Sequence, residues 1–362
     1  MQDKSFSPVR QSAFAARYEA QKIAFGPVVF QCVRYAWKRG MLQALADACS
    51  TGLSVEEMAA SGKWSEYVLK VVLESCLSAG AVQLRGGRYV LDKVGFCVLT
   101  DKITQVNLDF NHDVCYLGLH DLEKSLDGEQ PHGLKKLGDW PTLYQGLSHL
   151  EEPAKSSWFA FDHHYSDTSF PEILPDVFAT GPRRVMDIGA NTGKFSLAAL
   201  EYSADVQLHL VDLPRQLAMA EQNLLAAGVR ERAQLHAVDM LDAAVPLPPA
   251  MDLIWMSQFL SCFSEPAIAS ILQRAAAALA PDGQVLIMDT FWDRQQYDIA
   301  SYCLINTSPY FTAMASGNSK IYQSADYVRL AEAAGLRLLT ARDGIGYCHS
   351  LLRFARAGGA GV

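Results

Sequence analysis

Three carboxylates stand where a nucleotide's polar groups can be held. The stretch Val185-Met-Asp-Ile-Gly-Ala-Asn-Thr-Gly193 sets Asp187 in an apolar run, then supplies Gly189, Ala190, Asn191 and Gly193. Small residues let a backbone come close to a ligand, and Asn tolerates positive φ nearly as well as glycine. A second apolar run, 206–211, ends on Asp212, which Leu213 follows. An acid in that place can accept from both ribose hydroxyls. Asp239 precedes Met240, so a carboxylate can accept from an adenine amino group while a thioether covers the ring. Asp187 can fix the turn or meet an ammonium group through water. One acid at one strand end is ordinary capping, whereas three in this order describe a nucleotide-binding βαβ unit. The glycine spacing excludes two other phosphate binders. A P-loop needs four residues between its glycines and a hydroxyl after its lysine; here Gly189 and Gly193 enclose three, and Phe195 follows Lys194. The G-x-G-x-x-G of dinucleotide folds is also absent.

Such acids meet only at one edge of a parallel sheet. From about residue 170, apolar runs at 183–188, 206–211, 233–238, 251–256 and 283–289 alternate with helical patterns at 192–202, 214–227, 265–280 and 324–334. That alternation predicts an α/β fold with helices on both faces of the sheet. The last two apolar stretches, 337–340 and 350–354, have no helix between them and are expected to pair antiparallel at the sheet edge. Upstream, Ser54 and Glu57 form a capping box, 65–79 carries apolar residues at helical spacing, and 82–84 and 89–91 flank a Gly-Gly turn. Helices followed by a hairpin read as a winged helix. The predicted organisation is a winged-helix-like dimerisation domain over 1–100, a helical connector over 101–165 that contributes to a substrate pocket, and a ligand-binding domain over 166–356.

Composition bounds the function. Half of the 362 residues are hydrophobic and 19% are charged, enough for a large core. The net charge of −8 argues against a bulk nucleic-acid or membrane-surface binder. Eight cysteines without a C-x-x-C pair suit free thiols in a reducing compartment, and no metal site is expected. Residues 1–5 lack the plan of a signal peptide and no apolar run reaches membrane-spanning length, so the expected location is cytoplasmic. A winged helix raises DNA binding as a rival. Residues 1–100 hold 12 basic against 8 acidic residues, yet the helix that would enter the groove sets only Lys70 against Glu66 and Glu74. A DNA reader wants basic and amide side chains there. Packing and dimerisation are the favoured role.

The D-x-G-x-x-x-G pattern from Asp187 to Gly193 resembles motif I of class I S-adenosylmethionine (SAM) methyltransferases. Across nearly the whole chain, the resemblance is closest to the O-methyltransferases that pair a winged-helix dimerisation domain with a SAM domain. Asp212-Leu-Pro214, Val238-Asp-Met240 and Pro281-Asp-Gly283 match three of that family's strand-end motifs. The resemblance implies a Rossmann-like seven-stranded sheet behind a mainly helical domain, a homodimer through the amino-terminal domain, SAM as cofactor and S-adenosylhomocysteine (SAH) as product. It assigns the cofactor to Asp187, Gly189, Ala190, Asn191, Gly193, Asp212, Leu213, Asp239, Met240, Ser257 and Gln258. The segment 161–169 matches the family's stretch leading into the SAM domain, with Tyr165 at a Met position where it can donate to the SAM carboxylate; the alternative is a polar linker.

The match breaks at the family's catalytic histidine. Ser261 stands at that position, Phe263 at the accompanying Trp position and Ser257 at a lysine position. Serine has no pKa near neutrality that suits a general base. Two routes remain. His163, His164 or His112 supplies the base, or an acidic phenol held in line with the methyl needs none. Loss of the histidine also admits transfer to a ring carbon. The acceptor is expected among His112, Tyr116, Trp292, Tyr302, Asn306 and Tyr310, whose rings and amides suit a flat aromatic or polyketide-like molecule of secondary metabolism. The rival readings are a catalytically lapsed SAM-binding or winged-helix regulatory protein and a non-methylating SAM enzyme.

Overall fold

The computed structural model describes residues 12–166 and 169–358, leaving aside the side chains of 163–166. The chain divides between His112 and Asp113 into two compact units.

The amino-terminal unit opens on the helix Ala13–Lys38, capped by Ser12. Arg34 and Lys38, one turn apart, both pair with Asp109. Ser54 and Glu57 make the expected capping box. The helix Glu66–Ser78 buries Leu69, Val72, Leu73 and Cys76 and leaves Tyr67 and Val71 exposed, as a 3.6-residue period requires. The hairpin β1 (Val82–Arg85) and β2 (Arg88–Leu91) turns on Gly86 and Gly87, whose φ values of 55° and 79° explain the two glycines. The first helix keeps Phe14, Ile23, Phe25 and Val28 on its surface. The helix Lys102–Phe110 belongs to this unit.

The second unit is built on a seven-stranded sheet of β3 (Arg184–Ile188), β4 (Gln207–Asp212), β5 (Ala233–Ala237), β6 (Met251–Ser257), β7 (Leu279–Thr290), β8 (Leu336–Ile345) and β9 (His349–Arg356). Their order is β5-β4-β3-β6-β7-β9-β8. The first five are parallel and the last two form the expected antiparallel hairpin, with β9 against β7. Order reverses between β3 and β6, and a crevice opens beyond the carboxyl ends of strands at such a point. Pro281-Asp-Gly283 lies inside β7 where its register with β6 shifts. A Cβ on Gly283 would come within 2.6 Å of the Met251 carbonyl, so only glycine allows that approach. Two apolar layers enclose the sheet, one around Met186, Ile254 and Ile287, the other around Val185, Trp255 and Leu286.

The start of the expected helical connector, 101–165, is not one continuous helix. The structure breaks it into a π-turn Asn111–Cys115, a 3₁₀ turn Gly118–Asp121 and a new helix Leu122–Gly128. Close packing at Gly118 accompanies the break: a Cβ there would strike Met314 Sδ and the Gly133 carbonyl.

Candidate active site

Beyond β3 the chain turns sharply. Gly189, Asn191 and Gly193 take φ of 79°, 50° and 78°, and the Gly189 amide donates to the Val211 carbonyl at 2.9 Å. Gly193 then caps the helix Lys194–Tyr202. At the tip of β4 both oxygens of Asp212 accept backbone amides, Oδ2 from Asn191 at 2.8 Å and Oδ1 from Leu213 at 2.7 Å. Burial raises its pKa while those amides oppose the rise. The carboxylate is thus fixed in direction and keeps lone pairs for further donors. Ala190 is buried and Asn191 exposed.

Asp187 has a different setting. It is buried, accepts from Ser196 Oγ at 2.7 Å, and burial pushes its pKa up to about 7. It braces the start of the following helix. At the end of β5, Asp239 Oδ1 accepts the Leu241 amide at 2.9 Å and Met240 is buried. Arg274 holds the Met240 carbonyl at 2.5 Å. Ser257 ends β6 with its Oγ buried and unpartnered, and Gln258 follows at φ 48°, its amide on the Met288 carbonyl at 2.8 Å. The Phe259 ring covers Gly189 so closely that a Cβ there would lie 2.3 Å from it. Left-handed glycines, a carboxylate set by two amides and an orphaned buried hydroxyl fit a bound nucleoside with a polar tail.

Next to this crevice is a cavity of about 100 Å³, with Gln258, Ser261 and Asp289 in its wall. Asp289, the last residue but one of β7, is almost fully buried. It accepts the Thr290 amide at 2.8 Å and the Tyr327 hydroxyl at 2.9 Å, and the Ser261 amide and hydroxyl also turn towards it. Burial outweighs these donors and raises its pKa to about 6. Asp162 is a second carboxylate in the wall. The Cys262 thiol is pushed up to about 12 by burial. The Tyr144 hydroxyl is buried and faces the Cys262 thiol. Trp158 Nε1 donates to Tyr310 Oη at 2.8 Å and fixes that ring in the wall.

The structure sorts the expected site residues unevenly. Asp187, Gly189, Ala190, Asn191, Gly193, Asp212, Leu213, Asp239, Met240, Ser257 and Gln258 all follow the carboxyl ends of β3, β4, β5 and β6 or close those strands. Ser261 and Tyr310 line the cavity. Tyr302 and Asn306 do not: Tyr302 is 60% exposed, and the exposed Asn306 amide bonds the Tyr302 carbonyl. The helix Asp298–Tyr310 instead turns Cys303, Leu304 and Thr307 to the cavity, since its phase sets neighbours one turn apart on one face. Trp292 lines a separate surface cavity with Tyr297 and Tyr347. His112 ends the first unit and Tyr116 stands in the second; neither is in the wall. His163, His164 and Tyr165 fall on the last turn of the helix Ala154–Ser166, and their side chains lie outside the described residues.

Sequence reasoning missed Asp289, Asp162, Tyr144 and Cys262. Asp289 was within reach. It follows the apolar run 285–288 at a strand end, the signal by which Asp212 was chosen. Among the described residues no group of three or more His, Cys, Asp or Glu is placed to hold a metal, and all eight cysteines are free. No helix among them is long and apolar enough to cross a membrane.

Residues 17–89 match a Dimerisation2-like domain and residues 169–337 an O-methyltransferase domain. The demethylspheroidene O-methyltransferase of Cereibacter sphaeroides is 27% identical over 179 residues, 49% of this chain and 46% of the relative. The chain thus spans about half the length of that curated relative. The bacteriochlorophyllide d C-20 methyltransferase of Chlorobaculum tepidum is 19% identical over 89% of this chain and 93% of its own. Among solved structures, the apo form of the S-adenosylmethionine-dependent methyltransferase SibL superposes with a TM-score of 0.68 at 22% identity. That likeness covers 93% of this chain and 98% of the other. The fold is that of the SAM-dependent methyltransferases.

Proposed function

We propose that this chain, which joins a Dimerisation2-like domain to an O-methyltransferase domain, transfers a methyl group from SAM to a small aromatic acceptor and releases SAH. One observation carries the reading. Asp212 is held by the amides of Asn191 and Leu213 opposite a turn of left-handed glycines, beside a cavity walled largely by aromatic rings. When bound, SAM supplies an electrophilic methyl on a positively charged sulfur.

Asp212 accepts the ribose hydroxyls, and the Gly189 and Ala190 backbone lies along the ligand. Asp239 takes the adenine amino group and Met240 covers the ring. Ser257, whose buried hydroxyl has no partner, and Gln258 receive the amino-acid end. Tyr144, Trp158, Phe161, Tyr310 and Phe311 wall the acceptor side, and such walls orient a flat ring. Holding acceptor and methyl in line supplies a large part of the acceleration. The exposed apolar face of the first helix, from Phe14 to Val28, is the homodimer contact. The enzyme works in the cytoplasm on secondary metabolites, without nucleic acid or membrane.

Transfer to an activated ring carbon is the second reading. Ser261 replaces the family's base, and a C-20 methyltransferase aligns over 89% of the chain. A lapsed protein is disfavoured because residues 169–337 match an O-methyltransferase domain and the relatives above are named methyltransferases.

Calorimetric titration of SAM and SAH into wild type and Asp212→Ala, with mass spectrometry of phenolic and polyketide acceptors incubated with SAM, tests the proposal. Binding that is lost in the variant, together with products heavier by one methylene unit, is expected. Fragmentation of those products separates oxygen from carbon transfer. A wild type that binds neither SAM nor SAH would refute the reading.

A further inference from the structure

The cavity beside the crevice is small for the acceptor it would serve. At about 100 Å³ it falls short of the roughly 150 Å³ that takes a benzene ring, so it admits the reacting edge of an aromatic molecule and little more. A second cavity, of about 860 Å³, opens on the surface of the same unit. That volume lies within the range of roughly 300–1,000 Å³ found for sites that hold whole ligands. Trp292, Tyr297 and Tyr347 stand in its wall, and both tyrosines are exposed.

Three relationships set the two spaces side by side. The helix Asp298–Tyr310 gives Ala300 to the outer wall and Cys303, Leu304 and Thr307 to the inner one. These positions are spaced i, i+3, i+4 and i+7, so a single helix face runs from one cavity to the other. Thr290 of the inner wall and His349 of the outer wall are register partners of β7 and β9. Burial raises the Cys348 thiol in the outer wall, and the Cys303 thiol in the inner wall adds to that rise.

We propose that the two cavities form one acceptor site and that the acceptor is an extended, flat molecule. The edge of its reacting ring enters the inner cavity, and a second ring lies in the outer one against Trp292, Tyr297 and Tyr347. This rests on the methyl-transfer reading above and narrows its substrate class. The outer wall is formed before a ligand arrives. Gln295 is buried, and its Nε2 donates to the Phe291 carbonyl at 2.7 Å and to the Cys348 carbonyl at 2.8 Å. Ser301 Oγ donates to the Trp292 carbonyl at 2.7 Å. These bonds fix the loop after β7, the β8–β9 turn and the helix start to one another. Arg294 is engaged by both oxygens of Asp343, so its charge is already matched and a neutral extension suits the groove. The rings of the wall offer stacking and edge contacts to such a body.

The test titrates two probes, phenol and 4-hydroxystilbene, into SAH-saturated protein by calorimetry. The stilbene is expected to bind at least about tenfold tighter, the gain from one or two aromatic contacts. Ala300→Trp, which fills the space where the cavities adjoin, should bring the ratio of affinities close to one. Tyr297→Ala, at an exposed position, should lower the ratio by about threefold. Equal affinity for the two probes in wild type, or binding of neither beside bound SAH, would overturn the proposal. A full ratio in Ala300→Trp would overturn the joined site, and a full ratio in Tyr297→Ala would remove the second ring from the outer cavity. The wild-type comparison and Tyr297→Ala decide the matter if Ala300→Trp does not fold. Absent SAH binding by wild type would instead bring down the methyl-transfer reading itself.

Discussion

The carboxylate of Asp212, at the tip of β4, accepts the backbone amide of Asn191 at 2.8 Å and so ties that strand to the loop beyond β3. The two groups are 21 residues apart in sequence. Their contact, with the Leu213 amide on the other oxygen, fixes the direction of the acid.

Replacing Asp212 by alanine should weaken SAH by about 100-fold. Two hydrogen bonds to a charged acceptor are lost, each worth roughly 1.5–3 kcal/mol, and water recovers part of them. Calorimetry on a variant with a wild-type circular dichroism spectrum measures this. Equal affinity in wild type and variant would remove Asp212 from the cofactor site.

Gly189→Ala faces two obstacles, a φ of 79° and the Phe259 ring 2.3 Å from the new Cβ. The expected loss is about 1–3 kcal/mol of stability from the backbone alone, with more from the clash. Adding Phe259→Ala should recover the steric part and leave the backbone part. Denaturant titration of both variants separates the two.

The pH dependence of stability contains opposing contributions. Asp187 has a folded pKa of about 7 against a reference of 3.8. Between those values the folded state holds a proton that the unfolded state releases, so stability rises as pH falls from 7 towards 4. From pH 7 to pH 5 the gain is about 2 kcal/mol. His349, buried and lowered from 6.5 to about 4, acts the other way. It stays neutral when folded and takes a proton when unfolded, which costs about 2 kcal/mol at pH 5. Asp187→Asn should therefore lose about 2 kcal/mol more than wild type between pH 7 and pH 5 in urea titrations. Parallel curves for the two proteins would contradict the raised Asp187 pKa.

Thiol reactivity should follow burial. Cys49 and Cys97 are exposed, Cys76 and Cys348 are buried and Cys262 is half-buried, and desolvation pushes the last three thiols up to about 12. The thiolate is the reacting species. Brief alkylation at neutral pH, read by peptide mass spectrometry, should mark Cys49 and Cys97 well before these three.

Phe25 is 59% exposed on the first helix, on the same side as Phe14 and Val28. If this face joins two copies, Phe25→Glu should shift the mass by light scattering from dimer towards monomer. The second unit should keep its SAH affinity. A wild-type monomer would remove the homodimer from the proposal.

The crevice was legible because its signals are local. The turn after β3 needs residues that adopt positive φ, and Gly189, Asn191 and Gly193 announce it within five positions. Ser54 with Glu57, the paired glycines at 86 and 87, and the apolar strand runs are equally short-range. Each reports a backbone conformation that neighbouring residues impose.

The cavity beside the crevice was not legible in that way, because its wall is drawn from separate parts of the chain. Tyr144, Asp162, Ser261, Asp289 and Tyr310 meet only when the connector helices pack over the ends of β6 and β7. Composition after β7 suggested an aromatic pocket, but the phase of the helix Asp298–Tyr310 decided that Thr307 and Tyr310 face it while Tyr302 and Asn306 do not. The sequence by itself determined the sheet, its helices and the nucleotide-binding turn, since these follow from periodicity and backbone preference. Tertiary packing alone decided which acid lies buried in the cavity wall and is raised towards neutrality, since desolvation depends on everything that surrounds a group.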